Sequence, residues 1–199
     1  MAKRTRLGGL SAAGKPVSPH ALGAVAVLIG IGWTFRSTLA DGVALHGVVA
    51  PFALFVLGPR WGVVAVAGGA LFAAGAGAFP WGHLPARVLF DGLLPLTIAW
   101  GWLRLVERSL PTQPFVYLFV AVFAGTLIAV LGAGALEVWV IGSPQGFGRA
   151  ATAWIALLIL ADGEAVATGM LVAGLAIYRP AWLQTFDADR YLGRTASSR

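Results

Sequence analysis

The side chains of this sequence that could do chemistry are a few ionisable groups within or beside long apolar stretches. They are His46, Asp91, Glu137, Asp162 and Glu164, with His83 and Arg87 near a predicted outer loop. An ionisable group near the middle of a bilayer costs at least about 2.5–3.5 kcal/mol, so each one needs a physical reason to be there. Because imidazole and carboxylate groups suit nickel, cobalt, zinc or copper ions, His46 and Asp91 are candidate metal ligands.

These candidates also have plainer interpretations. The chain has 3 histidines, and their spacing matches no ligand pattern. Asp91 could equally pair with Arg87, which lies one helical turn away on the same face. His83 and Arg87 are candidates in the outer loop, and Glu137 is expected to be solvated at the outer interface.

Asp162 and Glu164 are the two carboxylates of the last apolar stretch. Positions two residues apart on a helix point roughly 200° apart, so both can face one cavity only if Gly163 breaks the helix. We therefore predict a polar gate or a helix break at this pair. The alternative for Glu164 is a polar cap at a helix break, or an interhelical hydrogen bond.

The composition identifies the solvent of most of the chain as lipid. Of 199 residues, 58% are hydrophobic and 11% are charged, against about 45–50% and about 25% in soluble domains. These values exclude a cytosolic enzyme, a disordered chain and a secreted disulfide scaffold, and the lack of cysteine excludes thiolate metal sites. No catalytic set and no nucleotide-binding motif is recognisable, so we expect neither enzymatic activity nor an intrinsic cofactor.

Six apolar stretches predict the fold. A transmembrane helix needs about 20 apolar residues, and continuous runs of this length are not barrel strands. The predicted fold is all-α, a polytopic bundle of about six transmembrane helices with Gly- and Ala-rich packing. The stretches are roughly 20–35, 43–57, 61–79, 84–103, 115–141 and 150–178, and the last could contain a break near Gly163. The predicted organisation is a basic tail at 1–19, a transmembrane domain at 20–178 and a C-terminal tail at 179–199.

The distribution of Lys and Arg predicts the orientation. If six spans alternate from a cytoplasmic N-terminus, eleven of the 14 basic residues fall on the inner side. The other three, Arg36, Arg87 and Arg149, fall outside. By the positive-inside rule, both termini are expected in the cytoplasm.

Several sequence segments are similar to a known family of membrane proteins. They are the residues 103–111 and 114–120, the pairs Glu164-Ala165 and Gly169-Met170, and the residues 178–182, 185–187 and 190–192. Together they resemble the proteobacterial branch of the CbiM-type family, the permeases of energy-coupling-factor transporters for cobalt and nickel. The similarity runs from about His20 to Leu192.

The resemblance implies uptake of a divalent transition metal across the bacterial inner membrane. This subunit would capture the ion at the outer face, while a coupling membrane protein and cytoplasmic ATPases drive its release inside. His46 stands in the place of a family histidine that contributes to the metal site, and Asp91 stands where the family often has Asn. Glu164-Ala165 matches the family's Glu-Ala or Glu-Gly pair.

One departure from the family motivates a second hypothesis. Metal-binding members begin Met-His-Ile-Pro-Asp-Gly and use the terminal amine and that histidine as ligands, whereas this chain begins Met1-Ala2-Lys3-Arg4. The alternative is therefore an accessory or structural membrane subunit that keeps the fold without binding metal. An intramembrane enzyme with Asp162 and Glu164 as acid and base is a weaker alternative, and no nucleic-acid partner is expected.

Overall fold

The computed structural model describes residues 16–38, 44–142, 147–187 and 191. Within them the chain forms five helical elements, one pair of three-residue strands and a 3₁₀ turn at Pro180–Trp182, and a second 3₁₀ turn, Trp81–His83, opens α3. The helices are α1 (Pro19–Thr34), α2 (Ala50–Gly75), α3 (Trp81–Ser109), α4 (Val116–Ala124 continued by Gly125–Gly142) and α5 (Phe147–Tyr178). The strands β1 (Arg36–Thr38) and β2 (Ala44–His46) pair antiparallel between α1 and α2, with Arg36 opposite His46.

The predicted all-α class is confirmed apart from this strand pair, which the sequence analysis did not predict. Four of the helices are long and apolar enough to cross a membrane. They correspond to Ala50–Gly75, Trp81–Ser109, Val116–Glu137 and Ala151–Tyr178, whereas α1 is apolar but has 16 residues. The first of the four reaches this length only when the two parts on either side of Gly58 are counted together.

Helix α2 is interrupted at Gly58, where the chain turns back on itself. Gly58 has φ 76° and ψ 173°, a backbone conformation reserved for glycine, and Pro59 follows it. Val49 at the start of α2 lies against Gly32 of α1, and Phe72 near its end lies against Gly30. A straight helix would separate positions 49 and 72 by about 34 Å, so they cannot both meet the same end of α1. The reversal divides α2 into α2a (50–57) and α2b (59–75), at the boundary between two of the six apolar stretches.

The short helix α2a forms the centre of the molecule. All its residues are buried, from 0% exposure at Ala50 to 8% at Phe52. Its sequence, Ala-Pro-Phe-Ala-Leu-Phe-Val-Leu, is apolar on every side, as expected of a helix surrounded by protein. α2b packs directly against it, because Gly62 approaches the carbonyl of Ala53.

Two helices of the bundle each contain a segment of π-helix. They are Val88–Leu93 in α3 and Val116–Ala124 in α4, and the first contains the candidate residue Asp91. The indole nitrogen of Trp102 donates a hydrogen bond of 2.7 Å to the carbonyl of Val120, which joins α3 to the second π segment. Such local widenings of a helix are frequent at functional sites.

The residues after α5 return to the bundle. Leu183 and Phe186 are buried, and the rings of Phe186 and Tyr191 each lie within about 5 Å of the Tyr117 ring of α4. The segment predicted as a tail from 179 onwards therefore contributes to the core over the residues that the structure describes. We call the end of the bundle where α1 begins and α5 finishes the terminal end, and the end with the turn Trp81–His83 the distal end.

Candidate functional site

The carboxylate of Glu164 closes the N-terminus of α2a. Glu164 comes from the middle of α5, and its Oε1 accepts a hydrogen bond of 2.9 Å from the backbone N–H of Val48. Its Oε2 accepts one of 3.2 Å from the N–H of Val49, the N-cap residue of α2. The first N–H groups of a helix lack partners within the helix and carry partial positive charge, so a carboxylate is well suited to this position.

The three residues before α2a, 47–49, are an irregular segment with paired backbone groups. The N–H of Gly47 donates to the carbonyl of Gly32 (3.2 Å). The carbonyl of Val48 accepts from the indole nitrogen of Trp33 (3.2 Å) and from the N–H of Ala50 (2.7 Å). Irregular backbone within a membrane is tolerated only where the protein itself satisfies it or water fills a cavity.

Val49 adopts a strained backbone conformation at this segment. Its φ is 55°, and among the described residues it is the non-glycine residue with positive φ. A β-branched residue in this region costs about 1–3 kcal/mol, which the surrounding contacts must offset. Its N–H bond to Glu164 and the packing of its side chain against Gly32 hold it in place.

The C-terminus of α2a is satisfied by the returning C-terminal segment. The carbonyl of Phe55 accepts a hydrogen bond of 3.0 Å from the hydroxyl of Thr185, and the carbonyl of Val56 accepts one of 3.2 Å from the N–H of Gln184. Because the Thr185 hydroxyl hydrogen is used in this way, the Tyr117 hydroxyl is the donor in the 2.8 Å bond between the two. Both ends of α2a are thus capped by residues more than 100 positions away in sequence.

The position of Glu164 along α5 sets the depth of this site. Glu164 precedes Tyr178, the last residue of α5, by fourteen positions, or about 21 Å along the helix axis. A hydrocarbon core of about 30 Å therefore contains the N-terminus of α2a if α5 crosses it.

A second polar group lies towards the distal end. Arg87 Nη1 is 2.8 Å from Asp91 Oδ2, and Asp91 is 3% exposed. The same nitrogen is 3.8 Å from Glu137 Oε1, so the guanidinium joins α3 to α4. The pairing of Arg87 with Asp91 is the i,i+4 interpretation that the sequence analysis gave for Asp91. Glu137 was expected to be solvated, but it lies in the same group of charges as a partner of Arg87.

The two carboxylates of the predicted gate, Asp162 and Glu164, do not face one cavity. Helix α5 runs unbroken through Gly163, so the predicted break there is wrong. The two carboxylates consequently lie on different faces: Glu164 contacts residues 48 and 49, and Asp162 is exposed on the outside of the bundle. In a continuous helix, side chains two positions apart point about 200° away from each other, which places these two on nearly opposite sides.

The described side chains of the candidate ligands lie in different parts of the structure. Among the described residues there is no group of three or more His, Cys, Asp or Glu side chains that could hold a metal ion. The backbone of His46 ends β2, directly before Gly47, but its side chain lies outside the described part of the structure. His83 is exposed in the turn at the distal end. The structure thus places the backbone of His46 beside the Glu164 site, and Asp91 in the separate ion pair.

Sequence reasoning missed the partners of Glu164. They are backbone N–H groups, which carry no residue-type signal, and they lie 115 and 116 positions away. A weak signal was available in the stretch 43–57, which is short for a span and ends at Gly58-Pro59. A short, wholly apolar stretch that ends at such a pair is expected to be a buried half-length helix whose ends need caps.

Comparison with known proteins adds no family to this description. No protein-family model matches the chain, and no curated protein or solved structure is significantly similar to it.

Proposed function

We propose that this protein is the substrate-capture subunit of a membrane transport system for a divalent transition-metal ion of the cobalt or nickel type. The observation that carries the proposal is the position of Glu164, a carboxylate within an apolar helix that holds the segment directly after His46. Intramembrane carboxylates generally mark substrate or ion pathways. The resemblance to the CbiM-type family supplies the class of substrate.

In this proposal the chain makes six passes, with both termini in the cytoplasm. The passes are α1, the segment 44–57 that ends with α2a, and then α2b, α3, α4 and α5, and the reversal at Gly58 makes their number even. A cavity of about 560 Å³ at the terminal end supports this arrangement, because residues of both 16–24 and 181–184 line it. The excess of Lys and Arg on that side agrees with the positive-inside rule.

We assign the first metal contact to His46, on the distal side of the Glu164 site. Glu164 would act as the inner limit of the path, because each carboxylate oxygen can accept more than one bond and can hold residues 48 and 49 while facing a cation. Asp91 is a less favourable ligand than its sequence position implies, because a metal ion would have to compete with Arg87. Energy would come from a coupling membrane protein and cytoplasmic ATPases, as in the family that the sequence resembles.

Metal binding by the purified full-length protein tests the proposal. We expect stoichiometric nickel or cobalt after equilibration and desalting, lost in His46→Ala and retained in His20→Ala, a matched change of an exposed histidine at the terminal end. Cellular uptake of the same ion should fall with His46→Ala. Absence of stoichiometric metal together with unchanged uptake would exclude the proposal.

A second candidate function is favoured by the bonds that Asp91 and Glu164 already make within the protein. Asp91 is bound to Arg87, and Glu164 is bound to two backbone N–H groups, so both have a structural purpose without any ion. An accessory membrane subunit would use them in this way only. It predicts that the metal content is zero and that the protein still co-purifies with a membrane partner at constant stoichiometry.

A further inference from the structure

Asp162 presents a carboxylate on the outer face of α5, in the middle of its apolar length. It follows Ala151, the start of the apolar segment, by eleven positions and precedes Tyr178 by sixteen, which is about 16 Å and about 24 Å along the axis. Its side chain is exposed, and it has no hydrogen-bond or ion-pair partner in the part of the chain that the structure describes.

A membrane does not tolerate this arrangement without compensation. A carboxylate that faces lipid at mid-depth is costly, and groups of this kind almost always face a bundle interior and pair with one another. The short Asp side chain cannot reach the headgroups as Lys or Arg can. Among the basic side chains that the structure describes, none pairs with Asp162: Arg87 pairs with Asp91, and Arg104 lies over the ring of Trp100.

Exposed apolar side chains and an exposed glycine surround Asp162 on this face of α5. On the same side of α5, Ile159, Val166 and Met170 are exposed, the last at 71%. Gly163 is also exposed, and a Cβ added there would meet nothing within 4 Å. Small residues on an outer face allow two membrane helices to approach closely, and polar groups then bond between them.

We propose that this face of α5 docks a transmembrane helix of a different subunit, which carries a basic residue at mid-depth that pairs with Asp162. The charge selects this occupant over a second copy of the chain. A two-fold interface would bring the same patch of both copies together and place two Asp162 carboxylates near each other. The inference rests on the membrane placement in the proposed function and does not depend on metal binding.

Association with synthetic transmembrane peptides tests the charge preference. The full-length protein is reconstituted into phosphatidylcholine vesicles with a labelled Leu/Ala-rich peptide that carries one central Lys, or with the same peptide carrying Leu there. We expect the Lys peptide to associate about tenfold more tightly, in line with interhelical polar bonds of about 1–2 kcal/mol. Asp162→Asn should remove this difference.

Paired glycine variants test the location. Gly163→Leu should weaken association of the Lys peptide by blocking the close approach of the two helices. Gly101→Leu is its control, because Gly101 on α3 is equally exposed and equally open. Equal effects of the two variants would overturn the proposed face.

Two further outcomes would overturn the inference. Equal binding of the Lys and Leu peptides would exclude the charge pairing. Self-association of the protein that is lost in Asp162→Asn would show that the occupant is a second copy. If α5 did not lie in the membrane, Ile159→Cys would react with a membrane-impermeant thiol reagent, so this failure is recognised separately. A failure of metal binding would leave all of these results unchanged.

Discussion

Glu164 and Asp162 are chemically alike and two positions apart, yet their surroundings give them different tasks. Glu164 bonds to two N–H groups that would otherwise be unsatisfied at the start of α2a. Asp162 points away from the bundle and has no partner among the described residues. The cost of an intramembrane carboxylate is thus offset within the chain in one case and, by our proposal, by a second subunit in the other.

Replacement of Glu164 by Gln tests its role as a cap. The amide keeps one oxygen acceptor but turns an NH₂ donor towards a second donor, and it removes the charge that favours a helix N-terminus. Because hydrogen bonds to charged groups contribute about 1.5–3 kcal/mol, we expect Glu164→Gln to lower the free energy of unfolding by about 1–3 kcal/mol. The thermal unfolding midpoint in detergent measures this change.

Glu107→Gln is the matched control for that change. Glu107 is half-buried near the end of α3 and takes no part in the Glu164 network. We expect its replacement to leave the midpoint nearly unchanged. Similar losses in both variants would contradict a capping role for Glu164.

At the scale of elements, the main feature is a half-length helix inside a bundle of longer ones. The eight residues of α2a span about 12 Å, well short of a bilayer core of about 30 Å. Its first backbone groups therefore lie within the membrane-spanning region, and Glu164, Trp33 and Gly32 serve as the partners that water would provide elsewhere. Its last carbonyls depend on Gln184 and Thr185.

The reversal at Gly58 predicts opposite effects for two Gly→Ala changes. The φ of 76° with ψ of 173° is essentially confined to glycine, so Gly58→Ala should cost about 1–3 kcal/mol. Crowding is not the cause, because the nearest atom to an added Cβ would be 3.5 Å away on Gln184. Gly101 lies in a regular, exposed helix, so Gly101→Ala should stabilise by about 0.5–1 kcal/mol. Unfolding midpoints that move in the same direction would refute this account.

Much of the element level could be predicted from the sequence, because it depends on local patterns. The apolar stretches correspond to the helical segments, the pairing of Arg87 with Asp91 follows from i,i+4 spacing, and Gly58-Pro59 marks the reversal. The site could not be predicted in the same way. The bonds from Glu164 join a side chain to backbone groups 115 and 116 residues away, and only the packing of α5 against α2 brings them together.

At the scale of the whole molecule, the helices return the described chain to the end where it begins. Tyr117 at the start of α4 contacts Thr185 and Phe186, while Arg87 and Glu137 meet near the opposite end. This arrangement is what the proposed six-pass topology requires. It also places the two polar groups, at Glu164 and at Arg87, at different depths.

Single cysteine variants test this topology, and any labelling reports on the introduced residue alone because the native sequence contains no cysteine. We expect Ser18→Cys and Asp187→Cys to be labelled by a membrane-impermeant thiol reagent only after cells are broken, because both are exposed at the terminal end. His83→Cys in the distal turn should be labelled in cells whose outer membrane has been made permeable. Labelling of residues 18 and 187 from opposite sides would mean an odd number of crossings.

The dependence of α2a on distant caps also constrains how the protein is made. Residues 50–57 leave the ribosome long before Glu164 and Thr185, yet these two supply bonds to their two ends. At a synthesis rate of about 5–20 residues per second, the interval between residues 57 and 185 is about 6–26 s. During that time the nascent helix lacks both of these bonds, so we expect its two ends to be completed only after residue 185 has been made.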